Sequence, residues 1–293
     1  MILLASKTLL SGGFFFSIHS LYLRGIINHK SIKMKKILLA LILFPLLGYS
    51  QYAASSFVTL NEGMGDAYLK IEKLWSEYHK EAVKKGHKNS WSIWKVDPTG
   101  YEDKIEKSRI PHFMIVETFA TKEKMDEEFA RYDKKGLANI RALIKKKMKG
   151  KMSSSQVDKI LSKNVEKERR GYLHQGLAAT PFTGGSLKPG DKMQVAPMQQ
   201  LQDDYEKFET EFYQKIFLDN IMKGNHRWWG FTKIIGRTDN ALTFNTHAAW
   251  NIGIEGKELE FPQDFASQKI MEITDAARKM FNPTTFELVY HEE

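Results

Sequence analysis

The sequence has 293 residues, a formal net charge of +9 at pH 7 and no cysteine. The absence of cysteine excludes disulfides, thiolate nucleophiles and zinc or iron–sulfur sites with cysteine ligands. The length suits one or two domains.

Residues 34–51 have the pattern of a secretory signal peptide. Residues 34–36 (Met-Lys-Lys) supply a positive start, an apolar run follows over 37–48, and 49–51 (Tyr-Ser-Gln) form a cleavage region with a small residue. The run is shorter than the ~20 residues of a membrane span. We therefore expect cleavage near Ser50, with no stable membrane span afterwards; the alternative is an uncleaved anchor. This signal resembles those common in Bacteroidota, which implies a periplasmic or extracellular product.

Residues 1–33 precede this complete signal, and we expect them to be an over-extended leader, with translation beginning at Met34. Residues 1–51 contain six Lys or Arg and no acid, so they carry six of the nine net positive charges. The rest of the chain has a net charge of about +3. This small excess does not indicate nucleic acid as a partner.

The first predicted half spans 53–180. A helix is indicated over 66–86, with Asp66 as its cap, and helical periodicity returns over 122–167, with interruptions at Gly136 and Gly150. Short runs rich in apolar residues indicate strands at 57–60, 91–96, 113–119 and 172–179.

Residues 181–191 have the glycine and proline content of a linker. The second predicted half, 192–293, then repeats the same order of elements. Helices are indicated at 203–223 and 261–280. Strands are indicated at 193–197, 228–235, 242–252 and 284–290.

The two halves also share residues at matching spacing. The second half has one extra residue before its helix ends, after which Gly-x4-Trp-x3-Lys repeats without a gap. This duplication predicts an α+β protein made of two tandem ferredoxin-like βαββαβ repeats. The matched positions are Asp66, Tyr68, Glu72 and Trp75 in the first half and Asp203, Tyr205, Glu209 and Phe212 in the second.

A βαββαβ unit has helices on one face of its sheet only, so its other face needs a cover, which two tandem copies can supply to each other. In this order of elements and its duplication, residues 53–291 resemble the dimeric α/β-barrel superfamily, in the form where a fused pair replaces a homodimer. No motif identifies a specific family. The resemblance implies a closed barrel, and the sequence leaves further oligomerisation open.

The third strand of the second half is the first candidate for a binding surface. Alternation over 242–252 places Asn245 and His247 on one face, together with small and polar residues. Such a face on a central strand suggests a cavity wall, with His247 as a weak candidate for an acid or base near neutral pH. The alternative is a hydrogen-bonded histidine at an exposed sheet edge.

Five further residues complete the predicted ligand-binding set. The tryptophans either line the barrel or pack against the sheet, and the lysines either line the barrel or lie at an exposed tip. No histidine pair has metal-ligand spacing, so no metal site is predicted. The five are Trp91, Trp229, Trp250, Lys95 and Lys233.

Two functions from different classes remain. The first is an exported binding or interaction protein that holds a small apolar or aromatic ligand without a cofactor, favoured because no strong catalytic constellation is present. The second follows from the resemblance, which implies a haem-dependent or cofactor-free oxygenase or peroxidase-like enzyme. In the haem version, His247 would be the axial ligand.

Overall fold

A computed structural model describes residues 52–100, 106 and 109–293. The predicted leader (1–33) and all of the predicted signal peptide (34–51) lie outside these residues. No helix in the described ranges combines the length and the apolar character of a membrane span.

Nine strands are distributed along the described chain. The first four belong to the N-terminal half and the other five to the C-terminal half. They are β1 (Tyr52–Leu60), β2 (Ser90–Val96), β3 (Phe113–Phe119), β4 (Glu166–Ala179), β5 (Lys192–Gln200), β6 (His226–Arg237), β7 (His247–Gly253), β8 (Arg278–Met280) and β9 (Thr284–Glu292).

Helices connect these strands on the outside of the sheet. In the N-terminal half they are α1 (Gly65–Lys84), α2 (Lys122–Ala130), α3 (Lys134–Met148) and α4 (Ser154–Leu161). In the C-terminal half, the helix α5 covers 205–222 and consists of Tyr205–Lys207, a π-helical segment Phe208–Tyr213, and Gln214–Met222, and it is followed by α6 (Phe265–Ala277).

Eight of the strands form a closed antiparallel barrel. The order is β7-β6-β4-β1-β3-β2-β9-β5, and β5 pairs again with β7, with Met198 opposite His247 and Gln194 opposite Asn251. The short β8 pairs with β5 next to the barrel. The structure is therefore a mixed α+β fold built on an eight-stranded antiparallel barrel.

The order of strands is the same in each half. The N-terminal half has β4-β1-β3-β2, and the C-terminal half has β9-β5-β7-β6. The halves join along β4–β6 and along β2–β9. Each half therefore contributes four neighbouring strands to the wall, and the interior lies between the two sets.

Both sides of the barrel wall are buried. The helix-facing side packs against α1 in the N-terminal half, where Trp91 and Tyr68 are fully buried, and against α5 in the C-terminal half, around Trp229 and Tyr205. The inward-facing side chains form a separate core. Its buried members are Trp94, Val96, Met114, Met193, Val195, Ala248, Trp250, Ile252, Phe286 and Leu288.

Several predicted helix boundaries differ from those observed. Asp66 lies in the first turn of α1, and Met64 is at the cap position without a side-chain hydrogen bond. Gly136 does not interrupt a helix, because it lies in the first turn of α3, where its backbone N–H donates to the side chain of the cap residue Asp133. The predicted restart after Gly150 is confirmed by a capping box at Ser153.

The predicted strand over 242–252 is wrong in its first five residues. Residues 242–246 form a loop, and β7 begins only at His247. The Arg237 guanidinium donates to the carbonyls of Leu242 (2.8 Å) and Asn245 (3.0 Å), and the Phe244 ring packs on Phe281 at 4.4 Å. These contacts satisfy the backbone of the loop outside the sheet, so strand pairing is not required there.

Candidate functional site

The barrel contains a cavity of about 70 Å³ between its two halves. The wall combines aromatic and aliphatic side chains with a few polar ones, and the loop 241–246 contributes two residues. The lining consists of Ser55, Phe57, Arg170, Tyr172, His174, Val195, Pro197, Phe244, Asn245, Ala248, Trp250, Thr284 and Phe286.

The strand β4 supplies the polar part of this wall. Side chains alternate between the two faces of a strand, so Arg170, Tyr172 and His174 all face inward while Arg169 faces the opposite way. The sequence contained this signal as the spacing of three polar or aromatic residues at every second position. The predicted strand begins at Tyr172 and so leaves out Arg170, and neither Arg170 nor His174 is in the predicted site.

His174 lies against Trp250 and two hydroxyl groups. Its Nε2 is 2.9 Å from Ser55 Oγ, its Nδ1 is 3.3 Å from Thr232 Oγ1, and the Trp250 indole N–H donates to the same Thr232 hydroxyl at 2.9 Å. Burial, with a smaller contribution from the positive charge of Arg237, lowers the pKa of His174 to about 3. The imidazole is therefore neutral at physiological pH, and both of its ring nitrogens have partners.

The loop over the cavity is tied to its rim. The Leu242 backbone N–H donates to the Tyr172 hydroxyl at 2.9 Å. Asn245 lines the cavity, and its buried side-chain oxygen has no hydrogen-bond partner. Buried polar atoms without a partner are uncommon and costly. One residue of the cavity wall therefore carries an unused acceptor.

Two of the predicted site residues, Asn245 and Trp250, line this cavity. Trp91 and Trp229 do not, because they lie on the helix-facing side. Trp91 stacks on His79 of α1 at 4.4 Å, and Trp229 stacks on Phe217 of α5 at 5.0 Å. Trp91 and Trp229, which occupy matched positions in the two halves, therefore lie between the sheet and the helices.

His247 also faces the helices, so its predicted position beside Asn245 in a cavity wall is wrong. The ring is fully buried, is stacked on Phe231 at 5.3 Å, and lies edge-on to Tyr205. Its Nε2 is 3.2 Å from a Glu206 carboxylate oxygen, and its Nδ1 is 2.8 Å from Thr246 Oγ1. The alternative, an exposed edge, is also wrong, because β7 pairs on both sides.

The two predicted lysines lie outside the barrel. Lys95 is exposed on β2 and belongs to the side that carries Trp91. Lys233 on β6 pairs with Glu206 at 2.7 Å, with its side chain 45% exposed. Neither lysine lines the cavity, which agrees with the exposed alternative of the prediction.

A second group of buried titratable residues lies between α1, α2 and β3. The Lys88 ammonium is fully buried, donates to Glu117, and is 2.9 Å from Glu128 Oε1 and 3.1 Å from His79 Nδ1. Burial, followed by the charge of Lys88, holds the pKa of His79 well below its usual range. None of these residues lines the barrel cavity, and we assign the cluster to the stability of the fold.

A third group places a carboxylate in the helix layer at a matched position of each half. Glu72 on α1 is almost fully buried, 3.9 Å from Arg169, and burial, only partly offset by Arg169, raises its pKa to about 7. In the C-terminal half, burial also raises the pKa of Glu209, whose carboxylate accepts a hydrogen bond from the Arg278 guanidinium. Both carboxyl groups therefore take up protons more readily when the protein is folded.

This geometry predicts a pH-dependent effect of Glu72→Gln. Between pH 4.5 and 7 the folded protein binds the Glu72 proton and the unfolded chain does not, so wild-type stability falls as pH rises through this window. The free energy of unfolding of the variant minus that of the wild type is expected to be about 3 kcal/mol larger at pH 8 than at pH 4. Urea unfolding at both pH values measures this difference. An equal difference at the two pH values would contradict the prediction, and Glu209→Gln should show the same sign.

The residues present do not fit a haem. A cavity of about 70 Å³ is far below the roughly 300–1,000 Å³ of sites for cofactors and drug-sized ligands. Neither His174 at the cavity nor His247 behind the sheet has a ring nitrogen without a partner. Within residues 52–100, 106 and 109–293, no group of three or more His, Asp or Glu is arranged to hold a metal ion.

The sequence matches no protein-family model, and no curated protein matches it. Among solved structures, the fold is similar to a protein proposed to be a monooxygenase from Lactobacillus acidophilus, at 10% identity and a TM-score of 0.47, with 82% of this chain and 95% of that chain covered. An anthrone oxidase-like protein has 11% identity, a TM-score of 0.43 and coverage of 84% and 94%. A variant chlorite dismutase from Candidatus Nitrospira defluvii has 8% identity, a TM-score of 0.40 and coverage of 84% and 93%. At these values the similarities assign no function.

Proposed function

We propose that this chain is an exported protein that binds a small molecule in the cavity of its barrel. The observation that carries the proposal is the cavity between the two halves, lined by aromatic and aliphatic side chains and by a few polar groups, which is the composition of small-molecule sites. The signal-peptide pattern over 34–51 supports export to the periplasm or beyond.

We also infer that the two halves descend from one βαββαβ unit by tandem duplication and fusion. The matched residues around Glu72 and Glu209 and the identical strand order of the halves support this inference. In such an arrangement the ligand site lies between two copies whose facing walls have diverged. The strand that corresponds to β4 in the C-terminal half is β9, and its sequence is largely different.

Binding is favoured over catalysis by the chemistry of the cavity. His174 is the histidine that lines it, and with a pKa of about 3 it is a poor match for a general base at neutral pH. The Ser55 hydroxyl is paired with the same neutral imidazole, and no carboxylate among the described residues lines the cavity to orient that ring. The site is therefore arranged to hold a molecule more than to transfer a proton.

The test uses protein purified from cells that express the full chain, labelled with 5-fluorotryptophan, with xenon under pressure as a neutral probe. We expect xenon to move the ¹⁹F resonance of Trp250, which Trp250→Phe assigns. The resonances of Trp91 and Trp229 serve as internal controls and should stay in place, because these rings lie on the other side of the wall.

A variant that fills the cavity completes this design. Ala248→Leu adds three carbon atoms to the lining and should abolish the effect of xenon on Trp250, while circular dichroism checks that the barrel remains folded. The proposal fails if Trp250 does not respond in the wild-type protein, or if all tryptophans respond equally.

A further inference from the structure

The cavity wall contains a buried cation whose hydrogen bonds are incomplete. Arg170 is 2% exposed, and one of its terminal nitrogens, Nη2, donates to the backbone carbonyl of Arg109 at 2.6 Å. Its Nε and Nη1 groups have no hydrogen-bond partner. A guanidinium stays protonated in proteins, and a buried charge with unused donors is costly unless another group pairs with it.

The neighbouring carboxylate, Glu168, does not accept a hydrogen bond from the unpaired donors of Arg170. Glu168 Oε2 lies 3.9 Å from Arg170 Nε, which is too long for a hydrogen bond, and no other carboxylate of the described residues lies within 4 Å of Arg170. Glu168 is instead held by Arg109, whose guanidinium donates to both of its oxygens at 2.8 and 3.3 Å. Arg237, on the same side of the barrel, uses its donors on neutral backbone carbonyls. Among the described residues, Arg170 therefore has no carboxylate within hydrogen-bond distance.

The rest of the lining limits what kind of anion fits. Phe57, Val195, Ala248 and Phe286 present apolar surface to the same cavity, which suits a hydrocarbon group better than a fully hydrated ion. A volume of about 70 Å³ corresponds to two or three waters at roughly 30 Å³ each. The free oxygen of Asn245 adds one acceptor for a hydroxyl group.

We propose that the ligand of the barrel cavity is a short-chain carboxylate whose anionic group is bound by the free N–H groups of Arg170. This inference rests on the proposed function and adds the chemical class of the ligand. The alkyl carbon lies against the apolar wall, and a hydroxyl on that carbon donates to Asn245. Charge-assisted hydrogen bonds from arginine to carboxylate are among the stronger polar contacts in proteins.

The experiment compares acetate with acetamide, which has the same shape and no charge, in the protein labelled with 5-fluorotryptophan at constant ionic strength. We expect acetate to move the Trp250 resonance saturably and acetamide to have no effect at the same concentrations. Glycolate, which adds a hydroxyl group, should bind more tightly than acetate, and Asn245→Ala should remove that advantage. Chloride tests whether charge alone is sufficient, and we expect no shift with it.

Two arginine variants separate binding from stability. Arg170→Gln is expected to weaken acetate binding about 10- to 100-fold. Arg169→Gln, at the next position but facing the opposite way, should leave acetate binding unchanged. If Arg170→Gln does not fold, the comparison of acetate, acetamide and chloride in the wild-type protein still decides the question.

Xenon distinguishes the two proposals. If xenon moves Trp250 and acetate does not, the carboxylate inference is overturned and the small-molecule proposal stands. Equal effects of acetate and acetamide, or of acetate and chloride, would also overturn the carboxylate inference. If neither xenon nor acetate moves the Trp250 resonance, both proposals fail.

Discussion

Replacing Lys88 with methionine is expected to lower the free energy of unfolding by about 3–5 kcal/mol, because it leaves buried carboxylates without their cation. Lys88 donates to Glu117, lies 2.9 Å from Glu128 Oε1, and is fully buried. The Tyr78 hydroxyl also donates to Glu128 at 2.7 Å, so the lysine is the centre of a network inside the helix layer. Urea unfolding followed by circular dichroism measures the loss.

Two further variants show whether charge is the cause. Lys84→Met removes an exposed lysine from the end of α1 and should change the free energy of unfolding by no more than about 0.5 kcal/mol. Adding Glu117→Gln and Glu128→Gln to Lys88→Met removes all three charges and should recover most of the lost stability. A loss below 1 kcal/mol for Lys88→Met alone would show that water or another group replaces the lysine.

Acidification is expected to destabilise the protein through His174, by about 3 kcal/mol at pH 4.5. The pKa of this histidine is about 3 in the folded protein and near 6.5 in the unfolded chain. Between these values the unfolded chain binds a proton that the folded protein does not, so stability rises with pH across this window. The stability contributed by neutral His174 is complete above pH 6.5 and is lost as pH falls toward 3.

The variant His174→Gln isolates this contribution from other groups, including His79, which titrates in the same direction. Below pH 6.5 the wild-type protein should lose stability relative to the variant, and above pH 7 their difference should be constant. Unfolding curves at half-unit steps from pH 4.5 to 8 test this. Parallel pH dependence of the two proteins would mean that His174 is hydrated or reoriented on protonation.

The architecture was largely predictable because it depends on local periodicity and on spacing that repeats. All eight barrel strands were predicted in order, although β1 and β4 extend further than expected. The extra residue between Glu209 and Lys223, compared with Glu72 and Lys85, has a structural explanation. A π-helical turn takes one more residue than an α-helical turn, and α5 contains such a segment over 208–213.

The candidate site was predictable only in part. Asn245 and Trp250 were identified, but His247 was assigned to the same cavity, whereas it lies between the sheet and α5. Alternation correctly separates His247 from Trp250, yet it does not say which face is the interior. In a barrel covered by helices both faces are buried, so apolar residues occur on both and the usual contrast with a solvent face is lost.

The sequence by itself determined the order of helices and strands, because that order depends on residues close together in the chain. It also contains the spacing shared by the two halves and the pattern over 34–51 on which export is proposed. Tertiary structure decided which face of each strand lines the cavity and which buried charges find partners. Glu117, Glu128 and Lys88 meet across three elements, while Arg170 retains free donors beside a carboxylate already bound by Arg109. Closure of the barrel sets these long-range distances, and no local pattern encodes them.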